Sequence, residues 1–150
     1  MEEKKLNRKT IVLAEDDEDD YLLFKEAITD QTEVVNLIWV KDGVELMEVL
    51  QKNDLTFIEM LFLDINMPRK NGFECLTEIR KNEQLKDLPV IVFSTSKESS
   101  LVSWMYNSGA NLFLCKPSTF QLLKSAIQKA ISMDWKIHKP FPEKEHFMIE

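Results

Sequence analysis

Glycine is scarce in this sequence, and the glycine-rich phosphate-binding loops are missing. The 150 residues hold only three glycines, Gly43, Gly72 and Gly109. None lies in a GxGxxG or GxxxxGK[ST] pattern, in which the backbone of a loop wraps around a nucleotide phosphate. Interpretation as a dinucleotide-binding protein or a P-loop nucleotide hydrolase therefore loses its main support.

Cysteine and long apolar stretches are also scarce. The two cysteines, Cys75 and Cys115, have neither CxxC nor zinc-ligand spacing, so we expect reduced packing residues in an intracellular setting. No apolar run exceeds five residues, whereas a membrane-spanning helix needs roughly 20. The charged N-terminus is not followed by the apolar core of a signal peptide. We expect a cytoplasmic protein that does not enter membranes.

Basic residues are in the minority. The chain has 19 Lys and Arg against 26 Asp and Glu, a net charge of −7. Because phosphate backbones repel such a chain and no Lys/Arg-rich run offsets the excess, we do not expect it to bind DNA by itself. The length fits one domain, and a hydrophobic content of 44% is ordinary for a globular protein.

Five short apolar runs recur along the chain, and each is too short for a helix. Their residues are apolar at consecutive positions and rich in Val, Ile, Leu and Phe, which is typical of parallel strands covered on both faces. The runs are Ile11–Ala14, Leu37–Val40, Met60–Leu63, Val90–Phe93 and Leu112–Cys115.

Segments of helical periodicity follow each run. The fourth, Lys97–Asn107, precedes Gly109 as a stop signal, and the fifth begins after Ser118 or Thr119 and ends near Met133. Five strand–helix repeats predict an α/β doubly wound sheet with right-handed crossovers. We expect an N-terminal extension at 1–8, one domain at 9–133 and a C-terminal tail at 134–150.

The strand ends carry the chemistry. Glu15 and Asp16 follow the first strand, Asp64 the third, Ser94 the fourth and Lys116 the fifth. In an open parallel sheet functional residues gather at this edge. Three neighbouring carboxylates stay ionised together only beside a positive charge, and hard oxygen ligands suit Mg²⁺. The set matches phosphoryl transfer to a carboxylate, with Asp64 as nucleophile and Lys116 neutralising phosphoryl charge.

Four strings in order resemble the receiver domain of two-component response regulators: IVLAEDD, LFLDINMPRKNG, PVIVFSTS and SGANLFLCKP, covering roughly residues 9–132. The resemblance implies a flavodoxin-like (βα)5 fold, a five-stranded parallel sheet in the order 2-1-3-4-5. It also implies the site roles. Asp64 is the phosphoacceptor. Metal ligands are Glu15, Asp16, Asp64 and the carbonyl of Asn66; residues that contact the phosphoryl group or take part in the switch are Ser94, Thr95, Phe113 and Lys116.

Two positions depart from the family's usual pattern. Thr95 stands where Ala is frequent and is bulkier, and Phe113 replaces a Tyr, so its movement is not tied to a hydroxyl hydrogen bond. The resemblance further implies a cis peptide bond between Lys116 and Pro117.

The implied function is a Mg²⁺-dependent phosphoacceptor switch rather than an enzyme. It would take phosphate from a histidine kinase or phosphotransfer protein and act through contact with a downstream protein. Stand-alone receivers paired with bacterial phytochromes have a similar length and C-terminal extension. Because some receivers dimerise, a second copy of the chain is among the expected partners, and the two copies would form a homodimer.

Two alternatives stay open at this point. A Mg²⁺-dependent phosphohydrolase would also use Asp64 as nucleophile, but Ile65-Asn66-Met67-Pro68 lacks the second acid of the DxDxT pattern. A binding module of the same fold would not need phosphate at all.

Other polar and aromatic residues have plainer interpretations. Glu18, Asp19 and Asp20 are expected to be solvated acids at a helix start, which is favourable there, and Asp17 is ambiguous. His138 and His146 are expected to be solvated. Some aromatic residues are either scattered on the surface or anchors for a partner: Trp104, Tyr106, Trp135, Phe141 and Phe147.

Overall fold

The structure is a computed structural model that describes residues 9–29, 35–52, 58–135 and 146–149. The expected N-terminal extension, His138 and Phe141 lie outside these residues. The predicted strands and helices fall within them.

In the described part of the chain, six parallel strands form one sheet in the order β2-β1-β3-β4-β5-β6. The predicted order of the first five strands is confirmed, and each ends within one residue of its apolar run. Because β1 lies between β2 and β3, its carboxyl end meets those of both neighbours. The strands are β1 (Lys9–Ala14), β2 (Val35–Val40), β3 (Ile58–Leu63), β4 (Val90–Ser94), β5 (Leu112–Cys115) and β6 (Met148–Ile149).

The expectation of a five-stranded sheet is wrong by one strand. β6 comes from the segment expected to be a tail and pairs with β5, with Phe113 opposite Met148 and Leu114 opposite Ile149. The Phe113 amide donates to the Phe147 carbonyl at 2.9 Å. Burial of Phe147, whose exposed fraction is 1%, holds the short strand against the open edge of β5.

Five helices among the described residues cover the two faces of the sheet. The helices are α1 (Glu18–Thr29), α2 (Gly43–Lys52), α3 (Gly72–Lys81), α4 (Ser99–Asn107) and α5 (Phe120–Ser132). The predicted cap is confirmed at Thr119, whose side chain accepts from the Leu122 amide. Gly109, with φ of 100°, follows α4 as predicted, since a positive φ favours glycine.

Alternate residues of each strand point into two separate cores. In β1, Ile11 and Leu13 pack with the residues of α1 and α5, whereas Val12 and Ala14 pack on the side of α2 and α3. The apolar residues are consecutive because both faces are covered. The polar side chains of Glu15, Asp64 and Lys116 follow directly after the strands β1, β3 and β5. Within the described ranges, no helix is long and apolar enough to cross a membrane.

Candidate functional site

Three carboxylates meet where β1 and β3 end. The amide of Asp64 donates to the carbonyl of Ala14 at 3.0 Å, which places the residue after β3 beside the end of β1. One carboxylate oxygen from each of Glu15, Asp16 and Asp64 lies within 4.8 Å of the other two. Glu15 and Asp64 are buried and Asp16 is exposed. The structure thus brings together the three acids that the sequence predicted.

Glu15 is the most deeply buried acid of the cluster. Its Oε1 accepts from Lys116 Nζ at 2.6 Å, and its Oε2 accepts from the Asp17 amide at 3.2 Å. Burial raises the pKa of Glu15 to about 7, and the charge of Asp64 adds to the rise, while the hydrogen bond from Lys116 opposes it. The carboxyl therefore changes its protonation near neutral pH.

The pKa of Asp64 is also raised, first of all by burial and then by the charge of Asp16. The positive charge of Lys116 and a hydrogen bond from the Asn66 amide act in the opposite direction. Only part of Asp64 contacts solvent, with an exposed fraction of 7%. Its carboxylate is therefore largely shielded from bulk water.

Among the described residues, Lys116 is the one whose ammonium group contacts this cluster. Its Nζ lies 2.6 Å from Glu15 Oε1, 2.8 Å from Asp20 Oδ2 and 4.0 Å from Asp64 Oδ2. Burial alone would lower the pKa of Lys116, but its hydrogen bonds to Asp20 and Glu15 raise the pKa above the ordinary value. The group therefore carries a full positive charge at neutral pH.

The expected cis bond after Lys116 is not found. None of the described peptide bonds is cis, so Lys116–Pro117 is trans, the isomer of lower energy for most bonds to proline. With this bond trans, the lysine side chain still reaches Glu15 and Asp20.

Ser94 and Thr95 lie at the end of β4, on the side of the cluster that faces β5. Ser94 is buried, and its Oγ accepts from the Ser96 amide at 3.2 Å. Thr95 is exposed. The Lys116 amide donates to the Ser94 carbonyl at 2.7 Å, so the ends of β4 and β5 are tied together. The hydroxyl group of Ser94 and the ammonium group of Lys116 thus belong to adjoining strands.

Phe113 lies inside the core. Its ring is fully buried and contacts Phe147, with ring centroids 6.3 Å apart. Phe147 in turn contacts Tyr106 of α4 at 5.1 Å. The alternative of Phe147 as a surface aromatic is therefore wrong, whereas Trp104 is 46% exposed. His146 is exposed, as expected.

The sequence interpretation missed the contact between Asp20 and Lys116. The expectation of a merely solvated acid is wrong, because its carboxylate forms an ion pair with Lys116. The spacing of residues in α1 contained a signal for this contact. Asp20 precedes Phe24 and Ala27 on the buried stripe of α1, and spacings of four and three residues put side chains on one helical face. Glu18 and Asp19 are exposed, as expected.

A pair of aromatic rings supports Glu15 from the side of β2. Trp39 Nε1 donates to the Glu15 carbonyl at 2.8 Å. The Trp39 ring stacks on Tyr21 of α1, with centroids 3.8 Å apart and planes at 4°. This stack joins the first turn of α1 to the end of β1.

The loop between β3 and α3 is held from two sides. Gly72 lies so close to the Asp64 carbonyl that a Cβ there would collide with it. Arg69 has a positive φ of 65°, and its guanidinium donates to Asp42 Oδ2, with Nε at 3.0 Å. Asp42 Oδ1 accepts from the Glu45 amide at the start of α2. These contacts fix the loop that carries Asn66.

The three carboxylates suit a hard divalent cation. They offer oxygen atoms at mutual distances that one ion can bridge, and their charges repel one another without a cation. The exposed Asp16 leaves one side of the cluster open for water ligands, as Mg²⁺ requires. The residues present therefore fit a divalent metal.

The sequence profile of the response regulator receiver domain matches residues 11–128. The chain belongs to this family. Among curated proteins, the chain is 33% identical over 124 residues to response regulator Rcp1 of Synechocystis sp., covering 80% of this chain and 84% of Rcp1.

Solved structures give the same result. A crystal structure of the Mn²⁺-bound form of response regulator Rcp1 is 32% identical, with a TM-score of 0.73 and coverage of 83% of this chain and 93% of that one. The phosphorylated cyanobacterial phytochrome response regulator RcpA is 30% identical, with a TM-score of 0.75 and coverage of 82% and 91%.

The chain is thus a response regulator of two-component systems with the fold and phosphoacceptor function of receiver domains. Receiver domains bind a divalent metal, are phosphorylated by histidine kinases and contact downstream proteins. They act in general as signalling switches rather than enzymes.

Proposed function

We propose that Asp64 is the residue that accepts the phosphoryl group. The observation that carries this assignment is its position. Its buried carboxylate lies in one cluster with Glu15 and Asp16 and 4.0 Å from the ammonium group of Lys116. It lies beside Lys116 and, with an exposed fraction of 7%, is accessible to a donor, whereas the exposed fraction of Glu15 is 0%.

The reaction replaces one bond to phosphorus by another. An Asp64 carboxylate oxygen attacks the phosphorus atom of a phosphohistidine, an O–P bond forms and the N–P bond breaks. The imidazole nitrogen that leaves takes up a proton from solvent. Lys116 neutralises charge on the transferred phosphoryl oxygens. Glu15, Asp16, Asp64 and the Asn66 carbonyl would hold Mg²⁺, which supplies further charge neutralisation when bound.

Ser94, Thr95 and Phe113 form the switch in this proposal. The hydroxyl group of Ser94 donates to a phosphoryl oxygen once the group is in place, and this pulls the end of β4 toward Asp64. Thr95, which is exposed beside it, restricts access of the phosphodonor. Phe113 responds through its contacts with β6, so the surface formed by α4, β5 and β6 changes its affinity for a downstream protein.

The proposal extends to partners and boundaries. The donor is a histidine kinase or a phosphotransfer protein, and a second copy of the chain is a further partner. Both cysteines are free thiols, which supports a location in the cytoplasm. We assign the receiver domain to 9–133, since β1 begins at Lys9 and α5 ends at Ser132. Residues 1–8 and 134–150 flank it, and the second of these segments contributes β6 to the sheet of the domain.

Intact-mass spectrometry tests the assignment of Asp64. The protein is incubated with acetyl phosphate and Mg²⁺, and the wild type is expected to gain the mass of one phosphoryl group. Asp64→Asn should gain none, because an amide is not a nucleophile for this transfer. Glu59→Gln, an exposed position on the same strand, is the matched control and should be modified like the wild type. A modified Asp64→Asn protein would contradict the proposal.

The same variant separates the two alternative functions. Binding of a partner that is unaffected by acetyl phosphate and by Asp64→Asn would indicate a module that does not need phosphate. Continuous release of phosphate from a simple phosphate ester would indicate a hydrolase. We expect neither, because the acids, the lysine and the Ser94 hydroxyl all lie at one edge of the sheet.

A further inference from the structure

We propose that Asp20 is a positioning residue for Lys116, holding its ammonium group on the α1 side of the site and so limiting how readily Asp64 is phosphorylated. The proposal rests on the proposed role of Asp64. Asp20 Oδ2 accepts from Lys116 Nζ at 2.8 Å, closer than the 4.0 Å between that nitrogen and Asp64 Oδ2. The lysine thus lies between an acid on α1 and the acid that reacts.

The position of Asp20 is fixed by its neighbours. Its amide donates to Asp17 Oδ1 at 3.1 Å, which caps the first turn of α1. The next residue, Tyr21, stacks on Trp39, whose indole is bonded to the Glu15 carbonyl. Asp20 is therefore attached through two routes to the strand end that carries Glu15. The backbone that carries the Asp20 carboxylate is thus held beside the lysine.

The position of Lys116 is restricted in the same way. Its ammonium group is held by Glu15 and Asp20, it lies 5.0 Å from the centre of the Phe93 ring, and its side chain is only 12% exposed. A charge with so little access to water stays near acceptors in the protein. To contact a phosphoryl group on Asp64, the nitrogen has to move toward that residue, and the attraction of Asp20 opposes the movement.

Loss of the Asp20 charge should therefore weaken Mg²⁺ binding and, at saturating Mg²⁺, make phosphorylation faster. Without Asp20, Lys116 is shared between Glu15 and Asp64 alone, so it competes more strongly with a cation for these oxygens. Mg²⁺ binding should become weaker. At saturating Mg²⁺, however, the attraction of Asp20 no longer holds the ammonium group back from the phosphoryl group, and one carboxylate fewer repels an anionic donor. Phosphorylation should then become faster.

The experiment compares Asp20→Asn with Asp19→Asn, which removes the same charge from the neighbouring, exposed position of α1. Calorimetric titration with Mg²⁺ gives the dissociation constant, and mass spectrometry gives the rate of modification by acetyl phosphate at saturating Mg²⁺. For Asp20→Asn we expect about two- to fivefold weaker Mg²⁺ binding and about two- to fivefold faster modification. Asp19→Asn should change neither by as much. Asp20→Glu, which restores the carboxylate, should return both values toward the wild type.

A double-mutant cycle shows whether Asp20 acts through the lysine. In a Lys116→Met background, Asp20→Asn and Asp19→Asn should change Mg²⁺ affinity equally. Two results would overturn the proposal. One is an Asp20→Asn protein in which Mg²⁺ affinity and the modification rate both increase or both decrease, or which behaves like Asp19→Asn. The other is an effect of Asp20→Asn that persists without Lys116.

Failure of the proposal is distinguishable from failure of the phosphoacceptor assignment. If wild-type protein gains no phosphoryl group, or gains it at a residue other than Asp64, the proposed function fails. If the wild type is modified at Asp64 and the two asparagine variants are equal, only the role of Asp20 fails.

Discussion

At the scale of single residues, Glu15 determines how the site responds to pH. Its carboxyl is buried, and its pKa is raised from the ordinary value of 4.5 to about 7. At pH values between 4.5 and about 7, the Glu15 carboxyl of the folded protein without metal keeps its proton. In the unfolded chain the same carboxyl has already lost its proton at these pH values. The raised pKa therefore stabilises the folded state at low pH, and this contribution is lost as the pH rises through about 7.

We expect the free energy of unfolding, measured by urea denaturation in the presence of a chelator, to fall from about pH 4.5 to about pH 7. Mg²⁺ affinity should rise over the same range, because the cation competes with the proton on Glu15. Glu15→Gln should flatten the pH dependence of stability. A wild-type stability that increases with pH over this range would contradict the pKa assigned to Glu15.

The residues of the site differ in how far the sequence predicted them. Four of them follow strands that are apolar at consecutive positions: Glu15, Asp16, Asp64 and Lys116. The strand pattern therefore predicted that they lie at the same edge of the sheet. Asp20 was harder to recognise because acids at a helix start are favourable for a local reason. Its contact with Lys116 depends on the packing of α1 against the sheet, which a local rule does not include.

At the scale of elements, the Asp42–Arg69 pair connects the start of α2 with the loop after β3. The hydrogen bond from the Glu45 amide lowers the pKa of Asp42, and the guanidinium of Arg69 adds to this effect. A positive φ at a residue other than glycine is strained. The surrounding contacts, including this ion pair, keep Arg69 in that conformation.

Asp42→Ala should lower the free energy of unfolding by about 2 kcal/mol, because α2 loses its capping acceptor and Arg69 its partner. Arg69→Gly removes the ion pair but relieves the positive φ and keeps the cap, so its cost should stay below about 1 kcal/mol. Urea denaturation of both variants measures the difference. Equal losses would mean that the ion pair, and not the cap, accounts for the contribution of Asp42.

The sequence patterns predicted five strands and five helices but not the sixth strand. The first five strands are runs of four or more apolar residues with a helix after each, which is a local signal. β6 has only two residues, Met148 and Ile149, and a segment of that length has no periodicity to detect. It is a strand because the edge of β5 offers hydrogen bonds and because Phe147 fills a space beside Tyr106 and Phe113.

At the scale of the whole molecule, the contact between Phe147 and Phe113 joins the C-terminal segment to the core on the side of α4. Phe147→Ala should lower the free energy of unfolding by about 3 kcal/mol or more, since the aromatic ring is fully buried. Leu122→Ala is the control, because Leu122 is 51% exposed and should cost less than about 0.5 kcal/mol. Urea denaturation measures both. A loss for Phe147→Ala no larger than that of the control would show that β6 adds nothing to stability.

The position of β6 also affects the protein while a ribosome is still making it. Synthesis proceeds from the N-terminus, so β5 is complete about thirty residues before the segment that pairs with it. During that interval the nascent sheet has an unprotected edge with free N–H and C=O groups, the kind of surface on which chains aggregate. Closure of this edge therefore has to wait until residues 147–149 have been made, and it coincides with the burial of Phe147.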